Sequence, residues 1–128
     1  MKILGVGVDI IQNNRIKNSI KNHKFRDRIY SKNELELSAS SKNKIGYFSK
    51  RFAAKEAFAK AMGTGIRNNL NFNDIEIIND KLGKPYYVKN KNITKMIKKN
   101  FNVKNFNCFL SISDEKDYST AFTIIQSK

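Results

Sequence analysis

The longest helical pattern in the sequence lies near its middle and ends at glycine. Residues 48–62 are rich in good helix formers and contain no glycine or proline before Gly63. Apolar side chains recur there at helical spacing and predict a buried stripe: Ala54, Ala57, Phe58 and Ala61. The alanines are small, so a neighbouring element can approach closely. Gly63 and Gly65 are expected to end this helix, because glycine adopts backbone angles that other residues avoid.

Charged residues are interleaved with that apolar stripe. Glu56 and Lys60 are four residues apart and share a helix face, as do Arg51 and Lys55. One interpretation is a solvated surface pair that contributes roughly 0.3 kcal/mol. The other is that these charges face a ligand, since the helix that carries them is largely apolar. Spacing alone leaves both open.

Length and composition set the first bounds on the class of protein. The chain has 128 residues, of which 40% are apolar, and this predicts one folded domain spanning residues 1–128. No apolar run is long enough to cross a bilayer, and the first residues resemble a strand rather than a signal peptide, so a cytoplasmic location is expected. The single cysteine, Cys108, excludes an internal disulfide and a thiolate metal cluster. Its apolar neighbours predict a buried, inert thiol.

The formal net charge of +14 predicts an anionic partner. Nucleic acid, an acidic protein, a phosphorylated small molecule and a membrane surface all fit that description. The chain is also rich in Lys, Asn and Ile together, a bias that genomic nucleotide composition can impose without selection for binding. The sign of the charge is therefore more informative than its size.

Residues 3–10 alternate in the manner of a β-strand. We expect Leu4, Val6, Val8 and Ile10 to face the core, with Gly5, Gly7 and Asp9 on the opposite face. Glycines inside a strand commonly mark the close approach of another backbone or of a ligand. Asp9 at the strand end either caps the next helix or contributes to a metal or phosphate site.

The remaining segments complete an α+β pattern. Residues 11–21 predict a helix with a basic surface, and Ser31 to Glu34 has the form of a capping box. Residues 74–78 and 85–88 predict a hairpin, residues 92–99 a short helix, and residues 107–113 and 118–126 an antiparallel pair. The only histidine, His23, lies in a polar basic link and is expected to be exposed. We predict an α+β fold with an antiparallel-rich sheet of about five strands packed on the long central helix.

The available side chains exclude several chemistries. The sequence contains no CxxC, HExxH or Walker lysine loop, and its single histidine rules out a convincing nucleophile triad. What remains is Asp9, Glu56, Lys60 and a Gly-Thr-Gly turn. Two carboxylates with water and phosphate oxygens are the usual protein environment for Mg²⁺, and nearby cationic side chains suit a phosphorylated substrate. These groups favour Mg²⁺-assisted phosphoryl-type transfer.

Several motifs resemble the short, holo-[acyl-carrier-protein] synthase type of 4′-phosphopantetheinyl transferase. Residues 5–10 with 15–16 resemble the opening of that family, and residues 51–66 resemble its main signature almost residue for residue. Residues 74–77, 83–85 and 111–113 fall at its later landmarks. The resemblance spans the whole chain. It implies transfer of 4′-phosphopantetheine from coenzyme A to a serine of apo acyl carrier protein, with release of 3′,5′-ADP, in fatty acid biosynthesis.

The resemblance also assigns residues to roles. It implies that Asp9 and Glu56 hold Mg²⁺ with the coenzyme A pyrophosphate and that Lys60 stabilises the phosphates. In the mechanism expected from these roles, Glu56 accepts the serine proton directly or through a metal-bound water. Further coenzyme A contacts are implied at Arg51, Gly63, Gly65, Lys84, Pro85 and Ser113. A basic surface for the acyl carrier protein is implied at Arg15, Lys21, Lys24 and Arg28. Family members are homotrimers with the site between subunits, so Asp9 and Glu56 need not meet within one chain.

One position departs from the family pattern. The family usually has histidine after the Ser-Ile-Ser segment, whereas this sequence has Asp114. Since an acidic residue cannot replace a phosphate-binding imidazole, either that contact is dispensable or a neighbour such as Lys116 takes it over.

Two other functions compete with the transferase. A small basic nucleic-acid-binding module accounts for the charge and for aromatic residues such as Tyr86 and Tyr87, but not for Asp9 and Glu56. A carrier-protein binder without activity is disfavoured by retention of both proposed metal ligands. We therefore expect an acyl carrier protein as partner, with no nucleic acid or membrane.

Overall fold

The computed structural model describes residues 1–63 and 71–128. Along the chain the elements are β1 (Ile3–Gln12), α1 (Asn13–Ser19), α2 (His23–Ile29), α3 (Lys32–Ser38), α4 (Lys44–Met62), a 3₁₀ turn (Phe72–Asp74), β2 (Ile77–Asn79), β3 (Pro85–Tyr87), α5 (Lys91–Phe101), β4 (Phe106–Asp114) and β5 (Tyr118–Ser127). Gly65, to which the resemblance assigns a role, lies outside the described residues.

Within the described ranges, the strands form two antiparallel sheets rather than the one sheet expected. A three-stranded sheet has the order β1-β5-β4, and β2 and β3 form a separate hairpin. The α+β class and the hairpin are confirmed. The predicted strand 74–78 begins late, because the 3₁₀ turn occupies Phe72–Asp74 and leaves a short strand at Ile77–Asn79.

Helix α4 packs directly on the three-stranded sheet, through glycine on one side and alanine on the other. A Cβ added at Gly5 would lie 1.9 Å from the carbonyl oxygen of Ala61, and one added at Gly7 would lie 1.9 Å from that of Ala57. The backbones are therefore in contact, as the strand glycines suggested. Gly63 ends the helix in the left-handed conformation with φ +77°, as expected for a glycine cap.

This contact reverses the predicted orientation of β1. Gly5, Gly7 and Asp9 lie on the inner face, towards α4, whereas Val6, Val8 and Ile10 are 50%, 56% and 65% exposed. The alternation was predicted correctly and Leu4 packs against the core, but Val6, Val8 and Ile10 were wrongly assigned to it. The small side of the strand is the one that a closely packed helix requires.

The exposed apolar residues of β1 continue across the sheet. Val6 pairs with Ile124 and Ile124 with Phe109, while Val8 pairs with Phe122. Phe109 and Phe122 are 50% and 43% exposed. We call this surface the outer face; its apolar members are Val6, Val8, Ile10, Phe109 and Phe122. Such a continuous exposed apolar surface is typical of an interaction site.

Other local predictions are confirmed. Ser31 caps α3 in a capping box with Glu34, and His23 is exposed. Cys108 is half-buried, and burial raises the pKa of its thiol to about 12, which keeps the thiol protonated and unreactive. In the parts of the chain that the structure describes, no helix combines the length and apolar character of a membrane span.

Candidate active site

Asp9 and Lys60 meet where the end of β1 lies against α4. Lys60 Nζ lies 3.1 Å from Asp9 Oδ1 and donates a hydrogen bond of 3.0 Å to the carbonyl oxygen of Val8. The Asp9 side chain is 15% exposed and that of Lys60 is 55% exposed. Lys60 therefore pairs with the sheet, not with Glu56 on its own helix as the four-residue spacing suggested.

Asp9 does not cap the following helix. The N-cap residue of α1 is Gln12, and its side chain makes no capping hydrogen bond. Of the two interpretations of Asp9 drawn from the sequence, the helix cap is wrong. A ligand-binding role remains.

Glu56 lies in the same cluster and is half-buried. Burial raises the pKa of Glu56, and the negative charge of Asp9 raises it further; Lys60 and Arg15 oppose these effects. Asp9, Lys60 and Arg15 are thus the charges that act on Glu56. Although the family pattern did not require it, a single chain brings Asp9, Glu56 and Lys60 together.

Two neighbouring carboxylates, one with a raised pKa, fit an added divalent cation because it would relieve their repulsion. Among residues 1–63 and 71–128, no group of three or more His, Cys, Asp or Glu side chains forms a complete protein cage for a metal. Magnesium is commonly held by one or two carboxylates together with water and substrate phosphates. Asp9 and Glu56 fit that partial ligand set.

Asn13, which sequence reasoning missed, fixes the junction between β1 and α1. Its side-chain NH₂ donates to the carbonyl oxygens of Glu115 and Lys116 at 3.0 Å each. Its side-chain oxygen accepts a 2.7 Å hydrogen bond from buried Ser119. The β4–β5 turn is therefore tied to the first residue of α1. An asparagine after a strand gives no sequence signal for contacts more than 100 residues away.

The basic residues assigned to the carrier-protein surface are exposed. Arg15 lies on α1, Lys21 in the following link, and Lys24 and Arg28 on α2. Arg15 also lies near enough to lower the pKa of Glu56. The basic surface thus borders the carboxylate cluster at Arg15.

Arg51 lies apart from this cluster. Its side chain is buried, stacks on the Tyr47 ring at 3.7 Å from the ring centroid, and donates a 3.0 Å hydrogen bond to Asn79 Oδ1. Asn79 pairs with Pro85 in the β2–β3 hairpin, and Lys84 precedes Pro85 with its side chain exposed. Arg51, Lys84 and Pro85 therefore form a second group. By helix geometry, Arg51 projects about 180° around α4 from Lys60.

The other residues singled out in the sequence lie away from the carboxylate cluster. Ser113 pairs with Thr120, which pairs with Ile10, so Ser113 lies on the outer face, opposite the side that carries Asp9. Asp114 and Lys116 are exposed at and beside the end of β4.

Tyr86 is exposed, but Tyr87 is buried with its hydroxyl hydrogen-bonded to Ala54 and Thr123, which removes it as a base-stacking residue.

The charged face shared by Arg51 and Lys55 is also buried. Lys55 pairs with Glu34 at 2.7 Å, and both side chains are 0% exposed. The capping box located Glu34, but no sequence signal placed its carboxylate against a lysine 21 residues away.

A strand and a helix in backbone contact thus carry two carboxylates and a lysine at their junction, groups that suit a phosphorylated substrate. Residues 5–123 match the 4′-phosphopantetheinyl transferase superfamily, and the chain belongs to this family. The assignment agrees with the motifs at residues 5–10 and 51–66.

Known proteins resemble the chain along its whole length. It is 58% identical to the holo-[acyl-carrier-protein] synthase of Pelagibacter ubique, with 100% of both chains covered. A solved holo-[acyl-carrier-protein] synthase from Neisseria meningitidis has a TM-score of 0.88 and 38% identity, covering 98% of this chain and 99% of that one. The Bacillus anthracis enzyme, solved in complex with coenzyme A (3′,5′-ADP), has a TM-score of 0.82 and 35% identity, with 100% of both chains covered.

Proposed function

We propose that this protein transfers the 4′-phosphopantetheine group of coenzyme A to a serine of apo acyl carrier protein, giving the holo-carrier protein and 3′,5′-ADP. The observation that carries the proposal is the convergence of Asp9, Glu56 and Lys60 in a member of this family. The names of its relatives support the substrate pair. A role in fatty acid biosynthesis and a cytoplasmic location are part of the proposal.

Asp9 and Glu56 would hold Mg²⁺ together with substrate oxygens. When bound, this ion supplies neutralisation of the pyrophosphate charge and polarisation of the phosphate. Glu56 accepts the proton of the carrier serine, directly or through a metal-bound water. Lys60 is 55% exposed and placed to stabilise the phosphate charge of the departing group.

The bonds and charges of the reaction balance without a nucleophile from this chain. The serine oxygen forms a bond to phosphorus as the bond from phosphorus to 3′,5′-ADP breaks. The serine proton passes to Glu56, and negative charge accumulates on the leaving phosphate beside Lys60. The exposed basic residues Arg15, Lys21, Lys24 and Arg28 would dock an acidic carrier protein, with Arg15 nearest to the reacting groups.

We further propose that the protein is a homotrimer whose outer faces pack together. The support is the exposed apolar outer face, whose burial would be favourable at about 25 cal/mol per Å². In a single chain, Ser113 and the group of Arg51, Lys84 and Pro85 lie apart from Asp9 and Glu56. A site that takes coenzyme A contacts from adjacent subunits reconciles these positions with one substrate.

Mass spectrometry tests the transfer directly. Purified protein is incubated with coenzyme A, MgCl₂ and apo acyl carrier protein, and the carrier is weighed before and after. We expect addition of one phosphopantetheine group, with no addition when EDTA is present. An unmodified carrier together with salt-dependent binding of RNA or DNA would support the nucleic-acid module instead.

A matched pair of variants tests the trimer. Val8→Lys places a charge on the outer face, whereas Leu82→Lys places it at a site that is 96% exposed in the β2–β3 turn. Sedimentation equilibrium should show a trimer for the parent and for Leu82→Lys, and smaller species for Val8→Lys. A monomeric parent would contradict the shared site.

A further inference from the structure

The buried ion pair of Glu34 and Lys55 lies outside the proposed chemistry. Lys55 Nζ lies 2.7 Å from Glu34 Oε1, and both side chains are 0% exposed. Lys55 also donates to the carbonyl oxygens of Phe72, at 3.0 Å, and of Ile75. An ammonium group has three hydrogens, so each of them has an acceptor here.

Glu34 is held with equal completeness. Its Oε1 accepts a 2.9 Å hydrogen bond from the Ser31 amide, and its Oε2 accepts a 3.0 Å bond from the Ile77 amide. Tyr47, on α4, donates a 2.6 Å hydrogen bond to the Glu34 carbonyl oxygen. The ion pair therefore joins the start of α3, the middle of α4 and the segment 72–77 that leads into β2.

Stability alone is a weak reason for such a pair. Replacing a buried ion pair by apolar side chains is often neutral or stabilising, by about 1–4 kcal/mol. Charged hydrogen bonds add geometric specificity, because they form only over a narrow range of donor and acceptor positions. Such specificity matters for the orientation of α4, because 14 of its 19 residues are buried. A helix buried on most sides has no single apolar stripe whose burial sets its rotation, so specific contacts must set it.

The ion pair and the sheet hold α4 on opposite sides. By helix geometry, Lys55 projects about 200° around the axis from Ala57, whose carbonyl oxygen lies against Gly7 of β1. Glu56 projects about 100° from each, between the two points of attachment. Rotation of α4 would therefore move Glu56 relative to Asp9, which is fixed on the sheet.

We propose that Lys55 is a positioning residue for Glu56: its bonds to Glu34, Phe72 and Ile75 fix the rotation of α4 and so hold the Glu56 carboxylate beside Asp9. The inference rests on the proposed function, in which Glu56 accepts the serine proton. Lys55 itself does not touch the substrate, since it is sealed from solvent.

Three variants separate positioning from stability. Lys55→Met removes the ammonium group, and Glu34→Gln with Lys55→Met removes both charges, so that no uncompensated charge stays buried. Phe58→Leu is the control, because Phe58 lies on the same helix with 0% exposure and makes no bond to the ion pair. For each protein we would measure urea unfolding, and kcat and KM for coenzyme A well below the unfolding temperature.

We expect both Lys55 variants to lose about 10- to 100-fold in kcat with KM for coenzyme A changed less than about threefold, as for a misplaced catalytic group. The double variant should regain stability but not kcat, and Phe58→Leu should lose stability and keep the parent kcat. Recovery of kcat along with stability in the double variant would overturn the inference, as would an equal loss of kcat in Phe58→Leu. If Lys55→Met alone does not fold, the double variant carries the test. A parent protein without transferase activity would contradict the proposed function instead.

Discussion

Two lysines on α4, five residues apart, each pair with a carboxylate, and their surroundings differ completely. The pair of Lys55 and Glu34 is sealed, with 0% exposure on both sides. The pair of Lys60 and Asp9 is open, with Lys60 55% exposed and Asp9 15% exposed. One helix thus carries a closed pair on one side and an accessible pair on another.

The two pairs differ in whether the lysine can still bind a ligand. All three hydrogens of the Lys55 ammonium have acceptors within the protein, so a ligand has nothing to bind there. Lys60 donates to Asp9 and to one carbonyl oxygen, and more than half of its side chain faces solvent, where a phosphate can reach it. A lysine–carboxylate ion pair can therefore stabilise the fold or contribute to a site, and its exposure distinguishes the two roles.

The largest effect is expected from Glu56→Gln, beside the open pair. Loss of the general base should lower kcat by about 10²- to 10⁴-fold. The fold should survive, because an amide of similar shape removes a half-buried charge. Mass spectrometry of the carrier protein gives the rate, and circular dichroism serves as the control for folding. Transfer at the parent rate would show that Glu56 is not the base.

Lys55→Met should have the next largest effect, on stability. It leaves Glu34 charged and buried without its partner, and breaking a buried pair in this way costs about 3–5 kcal/mol. Lys60→Met is the matched control, for which an exposed pair predicts a change of at most about 1 kcal/mol. Urea unfolding of the two variants compares them directly. Equal losses would mean that exposure does not distinguish the pairs.

When kcat is measured, Lys60→Met should have a larger effect than Lys55→Met, which is the reverse of their order in stability. Removing the positive charge of Lys60 from beside the leaving phosphate should lower kcat by about 10²- to 10³-fold, as for loss of a single transition-state hydrogen-bond donor. Initial rates at saturating coenzyme A and carrier protein give this number. A rate within twofold of the parent, by contrast, would place Lys60 outside the chemistry.

The smallest effect concerns the pH dependence of stability in EDTA. Because the folded-state pKa of Glu56 is raised, ionising this carboxyl costs the folded state stability above the ordinary carboxyl pKa. Glu56→Gln should therefore be more stable than the parent at pH 7. The advantage should disappear as the pH falls below the unfolded-state pKa, where the carboxyl is protonated in both states. Unfolding midpoints at several pH values test this, and an advantage independent of pH would assign it to another cause.

Local patterns in the sequence were sufficient for much of the fold. Helix α4, its glycine cap and the Ser31 capping box each depend on residues within a few positions of one another, and all three were predicted. So were the hairpin and the β4–β5 pair. The grouping of Asp9, Glu56 and Lys60 was also expected from the sequence, because Glu56 and Lys60 lie inside the long, specific motif at residues 51–66 and Asp9 lies inside the shorter one at residues 5–10. Their catalytic roles stay predictions.

What the sequence did not provide depends on long-range contacts. The inner face of β1 was misassigned because alternation gives two sides without saying which meets a helix, and here the helix requires glycine. The exposure of Val6, Val8 and Ile10 runs against the usual rule that apolar residues face the core. Likewise, Lys55 and Glu56 are adjacent letters of one motif, and only packing shows that the first is sealed and the second faces Asp9.

The backbone contact of β1 with α4 affects how many substitutions this protein can tolerate. Since Gly5 and Gly7 lie directly against the main chain of Ala61 and Ala57, the spacing between the strand and the helix is set without intervening side chains. Substitutions at exposed positions, including the many lysines and asparagines of the surface, can then accumulate without altering that spacing. Four small residues thus insulate the distance between the strand and the helix from drift in the exposed part of the sequence.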